Sequence, residues 1–395
     1  MLRVFTALSL FLASATGLAA QSFETRAEAA FVLDHGTGTV LMAKNADEPL
    51  PPASMSKLMT LYMAFEAIAN GQLTVNDRLA VSEHCKSYTG STMFLNTTDR
   101  VRVEDLLRGV VVLSGNDASC VLAEGLSGTE PNFAQQMTRR ARELGMTNST
   151  FANSNGWPAA GQRMSMRDLG ILAHRLINDF PTFYPLFAEE TYDFDGRAPA
   201  NNSNRNPLLG VVPGADGLKT GHTSEAGYGL VGSAKQGDRR VIFVLTGLET
   251  AQARAEESER IVNWAFRQFA ERDLARAGTR IAEAEVWMGQ QSTVGLTLEE
   301  DLSLLVPITG RDDVQAEVIY NGPIEAPIQA GDELAELVIR LQDLPDTRVS
   351  LVADQNVDVG GFETRMRTAA DVLIAHIQAR TEAPEGTAPA DTPAE

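Results

Sequence analysis

The order in which apolar periods appear along the chain restricts its fold more than any other feature. Ala29, Phe31 and Leu33 recur at every second position, meet His35-Gly36-Thr37-Gly38, and continue into Val40 to Ala43. That is the pattern of a β-hairpin. Pro51-Pro52-Ala53 ends the extended stretch, and a helix opens near Ser54 with Met55, Leu58, Met59, Tyr62, Met63 and Phe65 at helical spacing. Further helical stretches cover 103–113, 117–126, 131–144 and 166–177. Extended runs return only at 217–221, 228–234 and 241–248, the last two joined through Gln236-Gly237-Asp238, before a long helix from about 252 to 269. Strands on both sides of a helical block imply an antiparallel sheet with helices on it, α+β rather than alternating βαβ.

Beyond Leu274 the texture changes to short alternating runs, such as Val314-Ala316-Val318-Tyr320 and Val349-Leu351, separated by Gly and Pro turns. A small all-β domain is expected over 275–361, after a larger domain over 21–274. Phe362, Met366, Ala369, Ala370, Leu373, Ile374 and Ile377 then share one helical face, giving an amphipathic helix over 362–380. The Pro-, Ala-, Thr- and Glu-rich stretch 381–395 reads as a disordered tail. At the other end, Arg3, an apolar run from Val4 to Ala13 and the small residues to Ala20 form a secretory signal over 1–20, too short to span a membrane.

A net charge of −19 offers no basic patch for phosphates, so nucleic acid is excluded as a partner. Five scattered histidines without a His-x-x-x-His pair give no metal spacing. Cys85 and Cys120 are the only cysteines. One disulfide between them is possible in an oxidising compartment, but Cys120 falls in an apolar helical segment and reads as a buried free thiol.

Basic residues are overwhelmingly arginine: the chain has five lysines, at 44, 57, 86, 219 and 235, among 33 Lys and Arg. Only Lys57 follows a serine by three residues, in Ser54-Met55-Ser56-Lys57. On a helix this places an amine one turn above a hydroxyl. Lysine can be deprotonated in a protein whereas arginine cannot, so the amine can serve as general base to a serine nucleophile. A chance surface pair fits the same four residues, and further elements must decide. Ser114-Gly115-Asn116 lies between two helices, where it could relay a proton and hold an amide, or could be a plain turn with Asp117 as helix cap. Lys219-Thr220-Gly221 lies on an edge strand, where a cation and a hydroxyl can bind a carboxylate while glycine lets the backbone approach closely.

Taken together, Ser-x-x-Lys, Ser-x-Asn and Lys-Thr-Gly resemble the signature of the penicillin-recognising serine acyl transferases. The segments Pro52 to Lys57, Leu113 to Ala118 and Asp216 to Thr223 are most similar to those of the D-alanyl-D-alanine carboxypeptidases, the low-molecular-mass penicillin-binding proteins. The resemblance covers 28 to about 270 and implies a β-lactamase/transpeptidase-like catalytic domain followed by that family's β domain. It implies Ser54 as nucleophile, Lys57 as base and Ser114 as proton relay, with Asn116 on the substrate backbone. It further implies Lys219 and Thr220, beside Gly221, on the terminal carboxylate, the N–H groups of Ser54 and His222 as oxyanion hole, and Arg254 as a further carboxylate ligand. Lys57 must be neutral to accept a proton, and a nearby second cation such as Lys219 would depress its pKa in that direction; whether Lys57 acts alone as base stays open. No cofactor or metal is implied. The expected partners are peptidoglycan stem peptides and β-lactam inhibitors.

The implied location is the periplasm, with peripheral attachment to the outer face of the inner membrane through 362–380. That helix departs from the family in having one aromatic, Phe362, and an acidic tail. Ser119 also intervenes before Cys120, where the family often has cysteine directly after Ser-Gly-Asn-Asp-Ala. Three other functions compete with this one. A class A β-lactamase needs a Glu-x-x-Leu-Asn segment between the second and third motifs, and none is present. A cross-link endopeptidase shares the site but tends to lack the β domain. A non-catalytic wall-binding protein would have no reason to keep every motif residue.

Overall fold

The computed structural model describes residues 23–362 apart from 198, 309–314 and 342–343, together with 366. The expected signal at 1–20, most of the helix expected over 362–380 and the tail at 381–395 lie outside the described residues.

The chain enters as the hairpin β1 (Ala29–Asp34) and β2 (Val40–Lys44), then makes a single 3₁₀ turn, Ala53–Ser56, that runs into α1 (Lys57–Ala69). The helical block contains a small ribbon of β3 (Arg78–Ala80) and β4 (Arg100–Arg102), with the one-turn helix α2 (Glu83–Lys86) between them. It continues through α3 (Val103–Val111), α4 (Asn116–Ser127), α5 (Glu130–Glu143) and α6 (Met166–Asp179). Three long strands follow, β5 (Ala215–Thr223), β6 (Gly227–Gln236) and β7 (Arg239–Leu248), and then α7 (Ala251–Arg267). These strands join the N-terminal hairpin in one antiparallel sheet of order β2-β1-β7-β6-β5.

Alternation along the strands divides two cores. Ile242 and Val244 of β7 face the helical block together with Phe31 and Leu218. Val241, Phe243 and Leu245 face the opposite side, where Ile261, Val262 and Ala265 of α7 cover them. The sheet is therefore covered on both faces, and β1 and β7, in its interior, read as nearly continuous apolar runs. The long C-terminal strands of this region leave β5 at the sheet edge, as its Lys-Thr-Gly motif requires.

The expected helix to residue 269 stops at Arg267, and Phe269 begins a strand, β8 (Phe269–Ala275). The β domain then builds from β9 (Arg280–Trp287), β10 (Thr293–Thr297), β11 (Leu302–Pro307), β12 (Gln315–Ile319), β13 (Ile324–Glu325), β14 (Glu333–Arg340) and β15 (Thr347–Ala353). Six of these form a sheet of order β12-β14-β15-β10-β9-β13, while β11 pairs with β8. The β8–β11 ribbon connects the two parts of the chain. Leu302 and Leu304 enter the β-domain core, Leu305 enters the core beneath α7, and the Leu305 N–H donates to Thr39 Oγ1 at 3.2 Å.

The reading of Cys120 as a free thiol is wrong. Cys85 and Cys120 are disulfide-bonded, with Cα atoms 5.3 Å apart, tying α2 to α4. Periodicity placed Cys120 correctly in a buried helix face but could not show that α2 packs against that face. Breaking this bridge, which spans 35 residues of sequence, should cost about 3 kcal/mol of stability. Urea unfolding of Cys85→Ser/Cys120→Ser against the oxidised protein checks this, and equal midpoints would refute it.

Candidate active site

Ser54 stands on the 3₁₀ turn that precedes α1, and Lys57 is the first residue of that helix. The Lys57 Nζ lies 3.0 Å from Ser54 Oγ, 2.8 Å from Asn116 Oδ1 and 2.7 Å from the Asn155 carbonyl oxygen. The lysine has no exposed surface, whereas Ser54 is partly open to a cleft of about 770 Å³. Burial, and after it the positive charge of Arg205, lower the Lys57 amine to about 7; the carboxylates of Asp117 and Glu130 oppose this. An amine with this value, within hydrogen-bond reach of a hydroxyl, is half deprotonated near neutrality and can take the hydroxyl proton. By sequence, Lys219 is the cation expected to depress Lys57. Geometry instead gives that role to burial and Arg205.

The turn between α3 and α4 carries Ser114 and Asn116 into the same cleft. Ser114 adopts a left-handed φ of 58°, and the Gly115 carbonyl behind it accepts from both the backbone N–H and the hydroxyl of Ser119. The residue that departs from the family pattern thus braces the motif turn. Asp117 does not cap α4; Gly115 holds that position. The buried Asp117 carboxylate accepts from the N–H groups of Met93, Leu95 and Ala118, fixing the adjoining cleft wall. Asn116 gives its oxygen to Lys57 and one N–H to the Thr89 carbonyl at 2.8 Å, leaving its second N–H for a substrate amide.

Strand β5 forms the opposite wall. A Cβ on Gly221 would come within 3.0 Å of the Pro52 carbonyl oxygen and of Met55 Cγ, so glycine is what lets the strand lie against the Ser54 turn. Lys219 is 3% exposed, Thr220 is buried, and the exposed His222 ring stacks on Tyr228 at 3.9 Å. Arg254, on α7, reaches the cleft from outside the sheet and donates to the Arg205 carbonyl. Arg205 itself donates to Ser91 Oγ at 2.9 Å and to the Leu113 carbonyl at 2.6 Å. Among the described residues, none of Lys219, Arg205 and Arg254 has a carboxylate within ion-pair distance. Burial, then Lys57, Arg205 and Arg254, push the Lys219 amine well below its ordinary value. A buried cation without a counter-charge, such as Arg254, is unfavourable, and an entering anion relieves it together with the neighbouring Lys219 and Arg205.

Sequence reasoning missed Arg205 and the loop around Asn155. The loop is held by Asn153 Oδ1, which accepts from the Gly156 N–H, and by Gln162, which accepts from the N–H groups of Ala152 and Asn153 and donates to Ser56 Oγ. Asn153-Ser154-Asn155-Gly156 is a turn-rich cluster and was visible as such, but its contact with Lys57 depends on folding. Arg205 lies in an Asn-rich loop with no motif. Gly156 has a φ of 81°, and a Cβ there would lie 1.8 Å from the Ala53 carbonyl oxygen. Gly156→Ala should therefore destabilise the protein by about 2 kcal/mol or more and lower its melting temperature by several degrees. An unchanged melting curve would contradict this packing.

Comparison with known proteins gives a consistent picture. A family model described as D-alanyl-D-alanine carboxypeptidase matches residues 16–250, and one described as penicillin-binding protein 5, C-terminal domain, matches residues 269–359. The chain is 34% identical to D-alanyl-D-alanine carboxypeptidase DacF of Bacillus subtilis, covering 86% of this chain and 88% of that protein. It is also 34% identical to D-alanyl-D-alanine carboxypeptidase DacC of Escherichia coli, covering 90% and 92%. Among solved structures, penicillin binding protein 5 from Haemophilus influenzae is similar at 32% identity and a TM-score of 0.72, covering 86% of this chain and all of that one. Penicillin-binding protein D2 from Listeria monocytogenes, determined with ampicillin bound, is similar at 32% identity and a TM-score of 0.56, covering 62% of this chain and 98% of that one.

Proposed function

The chain belongs to the D-alanyl-D-alanine carboxypeptidase family and is a serine-type D-Ala-D-Ala carboxypeptidase; from that premise we propose how its residues divide the work. The Lys57 amine takes the Ser54 Oγ proton as Oγ attacks the carbonyl carbon of the penultimate D-alanine in a peptidoglycan stem pentapeptide. The N–H groups of Ser54 and His222 receive the developing oxyanion. The proton passes through Ser114 to the leaving nitrogen, the C–N bond breaks, and D-alanine departs, leaving an ester on Ser54. Water then hydrolyses the ester. The observation that carries this reading is the buried Lys57 amine 3.0 Å from Ser54 Oγ, in a cleft whose cationic side has buried Lys219 and Arg254 and the more exposed Arg205, none with a carboxylate partner among the described residues. Arg205, Lys219 and Arg254, with Thr220, match a C-terminal carboxylate, and the second Asn116 N–H matches the peptide backbone.

A β-lactam enters the same chemistry, because its amide carbonyl and carboxylate occupy corresponding positions. Ring opening leaves no small leaving group to diffuse away, so the acyl-enzyme persists and the drug inhibits. Its persistence also agrees with the lack of a Glu-x-x-Leu-Asn segment.

Export to the periplasm through 1–20, a domain division at 274/275 with the β domain ending near 361, and peripheral membrane attachment through 362–380 belong to the same proposal. Among the described residues no helix is long and apolar enough to cross a membrane. Phe362 is 81% exposed and Met366 57% exposed, the apolar surface that such an attachment would use. Fractionating cells that express the chain with and without 362–395 tests attachment, and an equal distribution would exclude it.

The decisive experiment is mass spectrometry of the penicillin adduct together with D-alanine release from a monomeric pentapeptide. Ser54→Ala should abolish both while the protein stays folded; persistent labelling would move the nucleophile elsewhere. Faster cleavage of a cross-linked dimer than of the pentapeptide would favour the endopeptidase reading. Since Lys57 must be neutral to act, acylation should fall as pH drops through about 7. A flat acylation rate across that range would remove Lys57 as base.

A further inference from the structure

Glu130 belongs to none of the motifs, yet its carboxylate is 4% exposed and touches both segments that enclose the reacting groups. Its Oε1 accepts from the Ser154 N–H at 3.0 Å and from Ser154 Oγ at 2.5 Å. Its Oε2 accepts from the Tyr88 hydroxyl at 2.7 Å and lies 2.8 Å from His84 Nε2. Ser154 directly precedes Asn155, whose carbonyl holds Lys57, and its own carbonyl accepts from Thr60 Oγ1 on α1. Tyr88 directly precedes Thr89, whose carbonyl holds Asn116. One buried carboxylate thus links the two backbone acceptors on which the Lys57–Asn116 pair depends.

The charged groups that act on Lys57 come from several elements, Arg205 from its loop, Asp117 from α4 and Glu130 from α5, and Lys57 in turn acts on Lys219 of β5. Glu130 in turn meets His84 and Tyr88, and Glu124 of α4 acts on the same tyrosine. The two carboxylates differ. Burial raises the Asp117 carboxyl above its ordinary value. For Glu130 burial acts in the same sense, but the bonds from Ser154, Tyr88 and His84 outweigh it and hold the carboxyl below its ordinary value.

We propose that Glu130 is a positioning residue of this reaction, its buried carboxylate locking, through Ser154 and Tyr88, the segments that hold Lys57 and Asn116. The proposal rests on the reading of Lys57 as base. It predicts a readout that a purely structural role would not move. Removing the negative charge disfavours protonated Lys57, so the amine becomes neutral at lower pH.

The test is the second-order rate of acylation by a fluorescent penicillin, measured on both sides of neutrality for the full chain, Glu130→Gln, Glu130→Asp and His84→Gln. Glu130→Gln should shift the acid limb down by about half a pH unit and lower the plateau about tenfold. Glu130→Asp keeps the charge and should lower the plateau while its limb stays near that of the parent. An unmoved limb in Glu130→Gln overturns the proposal. So does an equal shift in His84→Gln, which would assign the effect to the imidazole. If Glu130→Gln fails to fold, Ser154→Ala and Tyr88→Phe each remove a single donor and should slow acylation several-fold; parental rates in both overturn it. Loss of labelling in Ser54→Ala with parental behaviour of Glu130→Gln removes Glu130 alone, whereas labelled Ser54→Ala removes the reading beneath it.

Discussion

A buried lysine amine organises the catalytic half of this protein. Taking an ammonium out of water is strongly unfavourable, and a protein that buries one must either pair it or let it lose its proton. Here the amine meets only neutral acceptors, Ser54 Oγ, Asn116 Oδ1 and the Asn155 carbonyl, so its proton is weakly held. Each acceptor arrives from a different part of the chain: the turn before α1, the start of α4 and the loop after α5. The surrounding hydrogen bonds of Asn153, Gln162, Glu130 and Asp117 fix those three pieces relative to one another.

The two halves of the cleft have complementary chemistry. Around Ser54 the groups are those of proton transfer, an amine and two hydroxyls with a carboxamide. Towards β5 and α7 they are cationic, with Lys219 and Arg254 buried, Arg205 more exposed, and all three lacking carboxylates among the described residues. A substrate with a carbonyl a few ångströms from a terminal carboxylate satisfies both halves at once, and a D-alanyl-D-alanine terminus has that shape. The close passage of β5 over the Ser54 turn, allowed by Gly221, sets the spacing between them.

Much of this was legible in the chain itself. The hairpin, the helical block, the three late strands and the β domain followed from periodicity, because both faces of the sheet and one face of each helix are buried and their apolar residues repeat accordingly. The three motifs named Ser54, Lys57, Ser114, Asn116, Lys219 and Thr220; folding lines one cleft with Ser54, Ser114, Asn116 and Thr220, bonds the buried Lys57 to Ser54 and Asn116, and buries Lys219 on β5 beside Thr220. Arg254, identified on weaker grounds, also lines that cleft. The errors were of a different kind. Cys120 is not a free thiol, and Lys219 is not the main influence on Lys57. Each concerned a partner distant in sequence.

The sequence by itself determined which elements form and which residue types carry the chemistry, since propensity, periodicity and short motifs are local properties. Only the tertiary structure decided which groups surround the amine. Arg205, Asn155 and Glu130 follow no pattern, and their value lies in being held within a few ångströms of residues far away along the chain. Proton affinity depends on desolvation and on charges close in space. Those quantities exist only once the chain has closed around Lys57.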